Sequence, residues 1–168
     1  YLMSNLNQLF NKDFRFEVAR LPMVTYFCTS VEIPSVSSGE TVMPNPFVNY
    51  QIPSDKLQFS PLTITFNVDE DLRNYEEIFN WMQAYGTPSS FSQYNNGQNV
   101  SPKQAFQAHM SQGTIFTSTN KDNPNVQFIF EGLFPTSLGA LDLDLQNPDP
   151  GMIKCSVTFA YTKFTISR

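Results

Sequence analysis

The alternation of apolar and polar residues in the last third of the chain limits its fold more than any other feature. Residues 141–145 read Leu-Asp-Leu-Asp-Leu, and residues 153–161 carry Ile, Cys, Val, Phe and Tyr at the odd positions. A period of two predicts β-strands with one buried and one solvated face. Residues 126–130 form another strand-like run, and residues 132–139 are expected to connect it to the strands that follow. The regular structure predicted here is mostly strand, and no group of reactive side chains is evident. This favours a structural role over a catalytic one.

The first half of the chain also predicts strands. Residues 14–18 alternate Phe, Phe and Val with Arg and Glu, which predicts a first strand. Residues 24–33 are rich in β-branched and aromatic side chains, so a second strand is predicted there, ended by a proline. The alternation in residues 57–68 changes phase at Ser60-Pro61, which predicts a bulge or bend within one long strand. Together these patterns predict a mainly β fold, an antiparallel β-sandwich or barrel.

A change of period predicts one flanking α-helix over residues 71–85. Apolar side chains recur there at steps of three and four residues, which is typical of a helix with one buried stripe. The members of that stripe are Leu72, Tyr75, Ile78, Phe79, Trp81 and Met82. Three acids at residues 69–71 are interpreted as helix caps, and Gly86 is expected to end the helix. Because Trp81 lies on the stripe, core packing is favoured over ligand stacking.

The chain of 168 residues fits a single domain, 1–168, within which three segments stand apart from the regular elements. Residues 1–12 are predicted to form an N-terminal arm or a short helix. Residues 35–54 are proline-rich, and two interpretations stay open: an edge hairpin over its own core, or an arm that reaches a neighbouring subunit. Residues 87–125 predict a variable, loop-rich insertion, with either a short helix up to His109 or an edge strand over 105–116. The apolar candidates for an inter-subunit arm are Val42, Phe47, Val48 and Ile52.

Composition excludes some classes of partner. A net charge of −5 and an isoelectric point near 4.7 argue against a protein that grips nucleic-acid phosphates, because such binding requires clustered Lys and Arg. Only 15% of the residues are charged, which indicates either partner-covered surface or a surface of neutral polar side chains. No apolar run approaches the roughly 20 residues of a membrane span, so no membrane partner is expected. Cys28 and Cys155 lie in strand-like patterns and are expected to be free thiols.

The sequence offers little for catalysis. His109 is the only histidine, and no zinc, nucleophile-elbow or phosphate-loop motif is present. Asp142 and Asp144 share a face of their predicted strand, where a solvated face is favoured because a hard cation requires about six or more oxygen ligands. No enzyme activity, cofactor or metal is therefore predicted. Two rival functions stay open: a carbohydrate-binding β-sandwich module using Phe91 and Tyr94, and a carboxylate hydrolase.

Four short pieces of sequence, spread over nearly the whole chain, occur in an order known from one family. They are Phe-Arg-Phe-Glu-Val with a closing Ile-Pro in residues 14–34; a strand entering a helix with an aromatic-Trp pair in residues 62–81; Phe-Glu-Gly-Leu-Phe-Pro-Thr-Ser-Leu-Gly in residues 130–139; and Val-Thr-Phe-Ala-Tyr with a later Phe in residues 157–164. In these pieces the chain resembles the tail-tube protein family of contractile-tailed bacteriophages. Segments 35–54 and 87–125 depart from the plain tube pattern.

The resemblance implies a β domain whose six copies form a ring, with inner strands that line a continuous β-barrel channel. Stacked rings would form the tail tube through which the genome passes, and the family brings no catalytic residues. The implied partners are further copies of the chain, sheath and baseplate proteins, and DNA that passes without specific binding. The protein would be a virion component, assembled in the host bacterial cytoplasm. The two departing segments leave open a tube-initiator ring at the baseplate.

The wall of such a channel carries its own expectation. A channel should not hold DNA, so acidic and neutral polar residues are expected to line it rather than basic ones. The candidates for lumen-facing residues are Asp142 and Asp144.

Overall fold

The fold is built from nine strands and two helices in the part of the chain that the computed structural model describes, residues 14–86, 109–118, 124–144 and 151–168. The elements are β1 (Phe14–Val18), α1 (Pro22–Phe27), β2 (Cys28–Glu32), β3 (Val36–Met43), β4 (Tyr50–Phe59), β5 (Leu62–Asn67), α2 (Arg73–Gly86), β6 (Ser111–Ser118), β7 (Pro124–Leu138), β8 (Lys154–Ala160) and β9 (Lys163–Ser167). The predicted arm 1–12 and most of the insertion 87–125, including Phe91 and Tyr94, lie outside the described residues.

Two antiparallel layers share the long strand β7. We call β1, β6, the first half of β7 and β9 sheet I, in the order β1-β6-β7-β9. We call the second half of β7, β8, β5 and β2 sheet II, in the order β7-β8-β5-β2. Strands β3 and β4 pair with each other and with no other described strand, as a separate two-stranded sheet. The predicted mainly β, antiparallel fold is confirmed.

One hydrophobic core fills the space between the two sheets. Phe16 and Phe130 reach it from sheet I, and Phe66, Val157 and Phe159 reach it from sheet II, each at most 1% exposed. The ring centroids of Phe16 and Phe159 lie 6.4 Å apart, so side chains of the two sheets pack directly against each other in this core. The buried residues alternate along β5 and β8, as the period-two pattern predicts for strands with one inward face.

Strand β7 bends at Gly132 on its way from one sheet to the other. Gly132 has a φ of 68°, a left-handed conformation that costs glycine no Cβ clash, and a Cβ there would lie 2.5 Å from the Thr162 hydroxyl oxygen. Beyond the bend, Phe134 and Pro135 pair with β8. The expectation that residues 132–139 join separate strands is therefore wrong, because glycine and proline here bend a strand without ending it.

Helix α2 closes one side of the core and begins two residues later than predicted. The carboxamide of the buried Asn74 organises its start: the oxygen accepts from the backbone N–H of Asp69 and Tyr75, and the nitrogen donates to the carbonyl of Asn67 at 2.8 Å. Asn74, rather than the acids at 69–71, thus links the end of β5 to the helix. Trp81 is 6% exposed and donates from Nε1 to the carbonyl of His109 at 2.7 Å, which confirms its core position.

Three predicted elements differ in the structure. The predicted strand 24–33 is helix α1 up to Phe27 and becomes strand β2 only from Cys28, so two described helices replace the expected one. Proline in the first turn of α1 suits a helix start, and the Leu21 carbonyl accepts from the Thr25 N–H. Residues 141–144 are irregular, without the predicted strand. The phase change at Ser60-Pro61 separates two strands, β4 and β5, that lie in different sheets.

Both cysteines are free thiols, as expected. Cys28 on β2 and Cys155 on β8 pair with Phe66 of β5 from its two sides. The two cysteines therefore lie two strand spacings apart, roughly 9.6 Å, which is too far for a disulfide.

Candidate assembly surface

The most exposed part of the described fold is the hairpin formed by β3, β4 and the residues between them. Its base is fixed to the main body at Ser60. The Ser60 N–H donates to the Ser35 carbonyl at 3.1 Å, the two hydroxyl oxygens lie 2.7 Å apart, and the Tyr161 hydroxyl donates to the Ser60 carbonyl at 2.7 Å. These bonds place the hairpin as an outward continuation of β2 and β5, which flank it in the chain.

An irregularity divides the hairpin into a base half and a distal half. Ser38 pairs with Leu57, but the next pair is Glu40 with Pro53, so residues 54–56 stand opposite Gly39. Near the base, Val36 pairs with Phe59. The centroid of the Phe59 ring lies 6.1 Å from that of Tyr161 and 5.6 Å from that of Phe164. The base half of the hairpin therefore packs against aromatic side chains of the protein's own main body.

Three large apolar side chains of the distal half lie on the other face. Counting along both strands from the base, the face of Val36 and Phe59 continues into Glu40, Val42 and Gln51, while Thr41, Met43, Tyr50 and Ile52 lie opposite. Met43 and Tyr50 pair directly and are 59% and 57% exposed. We call Met43, Tyr50 and Ile52 the distal face. It turns away from the side that the base uses to contact its own core.

The structure does not bring the four predicted arm residues together on one face. Ile52 belongs to the distal face and pairs with Thr41, whereas Val42 pairs with Gln51 on the opposite face. Phe47 and Val48 lie in the tip between the strands, where Phe47 is 93% exposed. The candidate arm residues named from the sequence did not include Met43 and Tyr50 of the distal face. The apolar-polar-apolar alternation of Tyr50, Gln51 and Ile52 could have indicated that Tyr50 and Ile52 share a face.

Both sheets have open edges. Within the described residues, β1 and β9 pair on one side only at the borders of sheet I, and β2 and the second half of β7 do so in sheet II. An open edge presents unpaired backbone N–H and C=O groups, which a further strand can bond. These four edges are the places in the described part of the chain where a further strand could add to sheet I or sheet II.

Asp142 and Asp144 are exposed and lie just after β7, in the irregular segment 139–144. In the described part of their predicted strand, Leu141 packs against the core whereas Leu143 is 76% exposed, so these two leucines do not share one buried face. The aspartates therefore do not occupy a sheet face. Their position relative to a lumen stays a prediction.

The chemistry of the described residues contains no metal-ligating group of three or more His, Cys, Asp and Glu side chains. Burial raises the pKa of the Cys28 thiol to about 11 and raises that of Cys155, so neither is an activated nucleophile at neutral pH. Burial and the nearby charge of Arg20 lower the pKa of His109.

A shallow surface groove of about 810 Å³ lies beside β1. It contains an ion pair in which Arg15 Nε lies 2.7 Å from Glu17 Oε1. Among the described helices, none is long and apolar enough to cross a membrane.

Comparison with solved structures identifies the same architecture in contractile injection systems. The chain is similar to a structure of the anti-feeding prophage cap, the tube-terminating cap, with a TM-score of 0.61, 13% identity, and coverage of 98% of this chain and 94% of that one. It is similar to a chain of the sheath-tube complex of an extracellular contractile injection system, PVC, with a TM-score of 0.58, 14% identity, and coverage of 95% and 91%. A third structure, the six-fold symmetrised anti-feeding prophage baseplate, gives a TM-score of 0.53, 8% identity, and coverage of 98% and 97%.

The family assignment comes from the sequence. A search among curated proteins gave no match. The family model for phage tail tube proteins matches residues 2–167, nearly the entire chain. By this match, the chain belongs to the phage tail tube protein family.

Proposed function

We propose that six copies of this chain close into a ring and that the rings stack into the phage tail tube, a channel for genome delivery. The observation that carries the proposal is that, among the strands the structure describes, sheet II is a four-stranded antiparallel layer open at both β2 and β7. One repeated head-to-tail contact joins the β7 edge of each copy to the β2 edge of the next, and cyclic symmetry then pairs both edges of sheet II in every copy. The six-fold symmetry of the similar baseplate structure supports the number of copies.

Contacts between rings are assigned to the hairpin. A two-stranded hairpin is marginally stable alone in water, and here its distal face and tip expose five large apolar side chains. These are Met43, Phe47, Val48, Tyr50 and Ile52. Burying such side chains gives about 25 cal/mol per Å² of apolar surface, which favours association with a neighbouring copy.

The proposed partners and location follow from the assembly of rings into a stacked tube. Sheath and baseplate proteins contact the outside and the end of the tube, and DNA passes through it without specific binding. The protein is a virion component, assembled in the host cytoplasm, and its role is structural. The similar structures include cap, tube and baseplate proteins, so a ring at one end of the tube, including a baseplate initiator, is the second candidate.

Electron microscopy and light scattering of the purified chain over a range of concentrations test this function. Rings about six subunits in mass are expected, and long tubes distinguish a repeated subunit from a single end ring. A chain that stays monomeric at every concentration contradicts the proposal.

A pair of variants tests the hairpin contact separately. Ile52→Asp places a charge on the distal face and is expected to prevent stacking while the monomer keeps its circular dichroism spectrum. Gln51→Asp adds the same charge to the other face of the same strand and is expected to stack normally. Equal stacking by both variants contradicts the assignment of the distal face.

A further inference from the structure

The two sheets differ in the side chains they turn away from the core. On sheet II, the strand register gives rows that run across the layer. The rows are Glu32-Thr63-Thr158-Ser137, Ser30-Thr65-Ser156 and Asn67-Lys154, and the apolar pair Phe134-Ala160 lies at the β7 end of the same face. The four central positions, on β5 and β8, are all hydroxyl residues: Thr63, Thr65, Ser156 and Thr158. The charged residues Glu32 and Lys154 lie at the periphery of this face.

Sheet I has a different outward face. Its rows are Arg15-Phe116-Gln127-Ser167, Glu17-Thr114-Ile129-Thr165 and Glu131-Lys163. Two ion pairs lie there, Arg15 with Glu17 at 2.7 Å and Lys163 with Glu131 at 3.2 Å. Fixed charges of both signs and large apolar groups make this face typical of an ordinary outer protein surface.

A hydroxyl face suits a surface that a polyanion must pass without being held. Each Lys or Arg that neutralises a phosphate adds salt-dependent affinity, so a basic wall would bind DNA. Hydroxyl groups both donate and accept hydrogen bonds and exchange them readily with water. A neutral, hydrated wall at these central positions therefore offers the DNA phosphates no positive charge.

Chain continuity gives a second reason to choose sheet II. Its strands β2 and β5 flank the hairpin in sequence, and Ser35 and Ser60 bond at the junction. The segment assigned to ring stacking thus extends the same layer. A wall built from sheet II is followed directly by the hairpin that reaches the next ring.

We propose that the outward face of sheet II, centred on Thr63, Thr65, Ser156 and Thr158, lines the lumen, and that its occupant is passing duplex DNA. This inference rests on the proposed ring. It assigns the wall to hydroxyl groups, in place of the aspartates expected from the sequence, while sheet I faces outward.

Site-directed labelling of assembled rings tests the placement. Ser156→Cys puts a thiol on the proposed lumen face, and Ser167→Cys makes the same change on the outward face of sheet I. The native thiols contribute little labelling at neutral pH, since Cys155 is buried and burial raises the pKa of Cys28 to about 11. After reaction with a maleimide-linked gold cluster, electron microscopy should show density inside the channel for Ser156→Cys and outside for Ser167→Cys. Thr63→Cys serves as a second lumen variant.

The reverse pattern of density overturns this inference and leaves the ring intact. Absence of any rings from the unsubstituted chain overturns the proposed function and this inference together. The two failures are therefore distinguishable.

A charge variant tests the chemistry of the wall. Thr65→Lys places one added positive charge per subunit on the proposed lumen face, and Thr165→Lys does the same on sheet I. Phage carrying Thr65→Lys should eject DNA more slowly, with the defect relieved by salt, because screening weakens phosphate contacts. Thr165→Lys should eject at the normal rate. A defect of equal size in both variants, or in neither, contradicts the assignment.

Discussion

The strand pairs β5–β8 and β3–β4 have nearly the same backbone pairing and opposite surroundings. The first strand pair has six residue pairs in register, and the second has seven. Leu62, Ile64 and Phe66 on β5 are fully buried, whereas seven of the eight residues of β3 are exposed. Ladder hydrogen bonds alone contribute modestly to stability. The comparison therefore separates a pair that stabilises the single chain from a pair whose apolar groups are available to another copy.

The largest expected effect on stability comes from a substitution in the core, beside the β5–β8 pair. Phe159→Ala removes a fully buried ring that contacts Phe16 and Trp81, and should lower the free energy of unfolding by about 3–5 kcal/mol. Denaturant titration of the unassembled protein measures the change. The matched control is Phe47→Ala at the hairpin tip, where the loss should stay within about 0.5 kcal/mol. Similar losses in the two variants contradict the division between core and hairpin.

A smaller loss is expected at the junction of β5 and α2. Asn74→Ala removes the three hydrogen bonds of a buried carboxamide and leaves the Asn67 carbonyl without this donor, which should cost about 2–3 kcal/mol. Asn80→Ala on the exposed side of the same helix is the control and should be neutral or slightly stabilising, because alanine is the better helix former. The same titration compares them. A neutral Asn74→Ala contradicts the linking role.

A local effect is expected at the base of the hairpin. Tyr161→Phe keeps the ring contacts with Phe59 and Phe130 but removes the hydrogen bond to the Ser60 carbonyl, at a cost of about 0.5–1.5 kcal/mol. Amide hydrogen exchange of the monomer should quicken in β3 and β4 more than in β5 and β8. Tyr26→Phe, at an exposed ring, should change neither pair. Uniform acceleration across both pairs would mean that the hairpin shares the stability of the core.

The smallest expected effect is a dependence on pH. The pKa of His109 is lowered in the folded state by burial and by Arg20, so the unfolded chain takes up a proton first as the pH falls. Stability should decrease from about pH 6.5 downward, by less than about 0.5 kcal/mol because solvent screens this partly exposed group. Burial raises the pKa of Glu77, which acts in the opposite direction on acidification. The difference between native protein and His109→Gln at pH 7.5 and pH 5.5 isolates the histidine, and no difference contradicts the assignment.

Period and burial made much of the core predictable. The alternation at Phe14–Val18 and at Lys154–Ala160 identifies strands because each has one inward face. The three- and four-residue spacing identifies α2 within two residues of its start. Helix α1 was missed because its Val, Tyr and Phe favour a strand locally, whereas proline in its first turn and the burial of Val24 stabilise a helix.

The candidate surface was less predictable because it depends on register. The sequence shows apolar residues between prolines in segment 35–54, but the sides on which Val42 and Ile52 lie follow from the pairing around Gly39. Asp142 and Asp144 show the same limit: alternation alone predicts a strand, whereas residues 141–144 are irregular and pair with none of the described strands. The hydroxyl rows of sheet II arise from residues far apart in sequence, on β5 and β8, so only the fold brings them together.

Strand β7 has a mechanical consequence. Its fifteen residues run through both layers of the domain, with Gly132 at the crossing. Pulling the layers apart there strains a covalent backbone, in addition to separating packed side chains. A load applied to one layer is consequently transmitted to the other along continuous main chain, and the two layers resist it together.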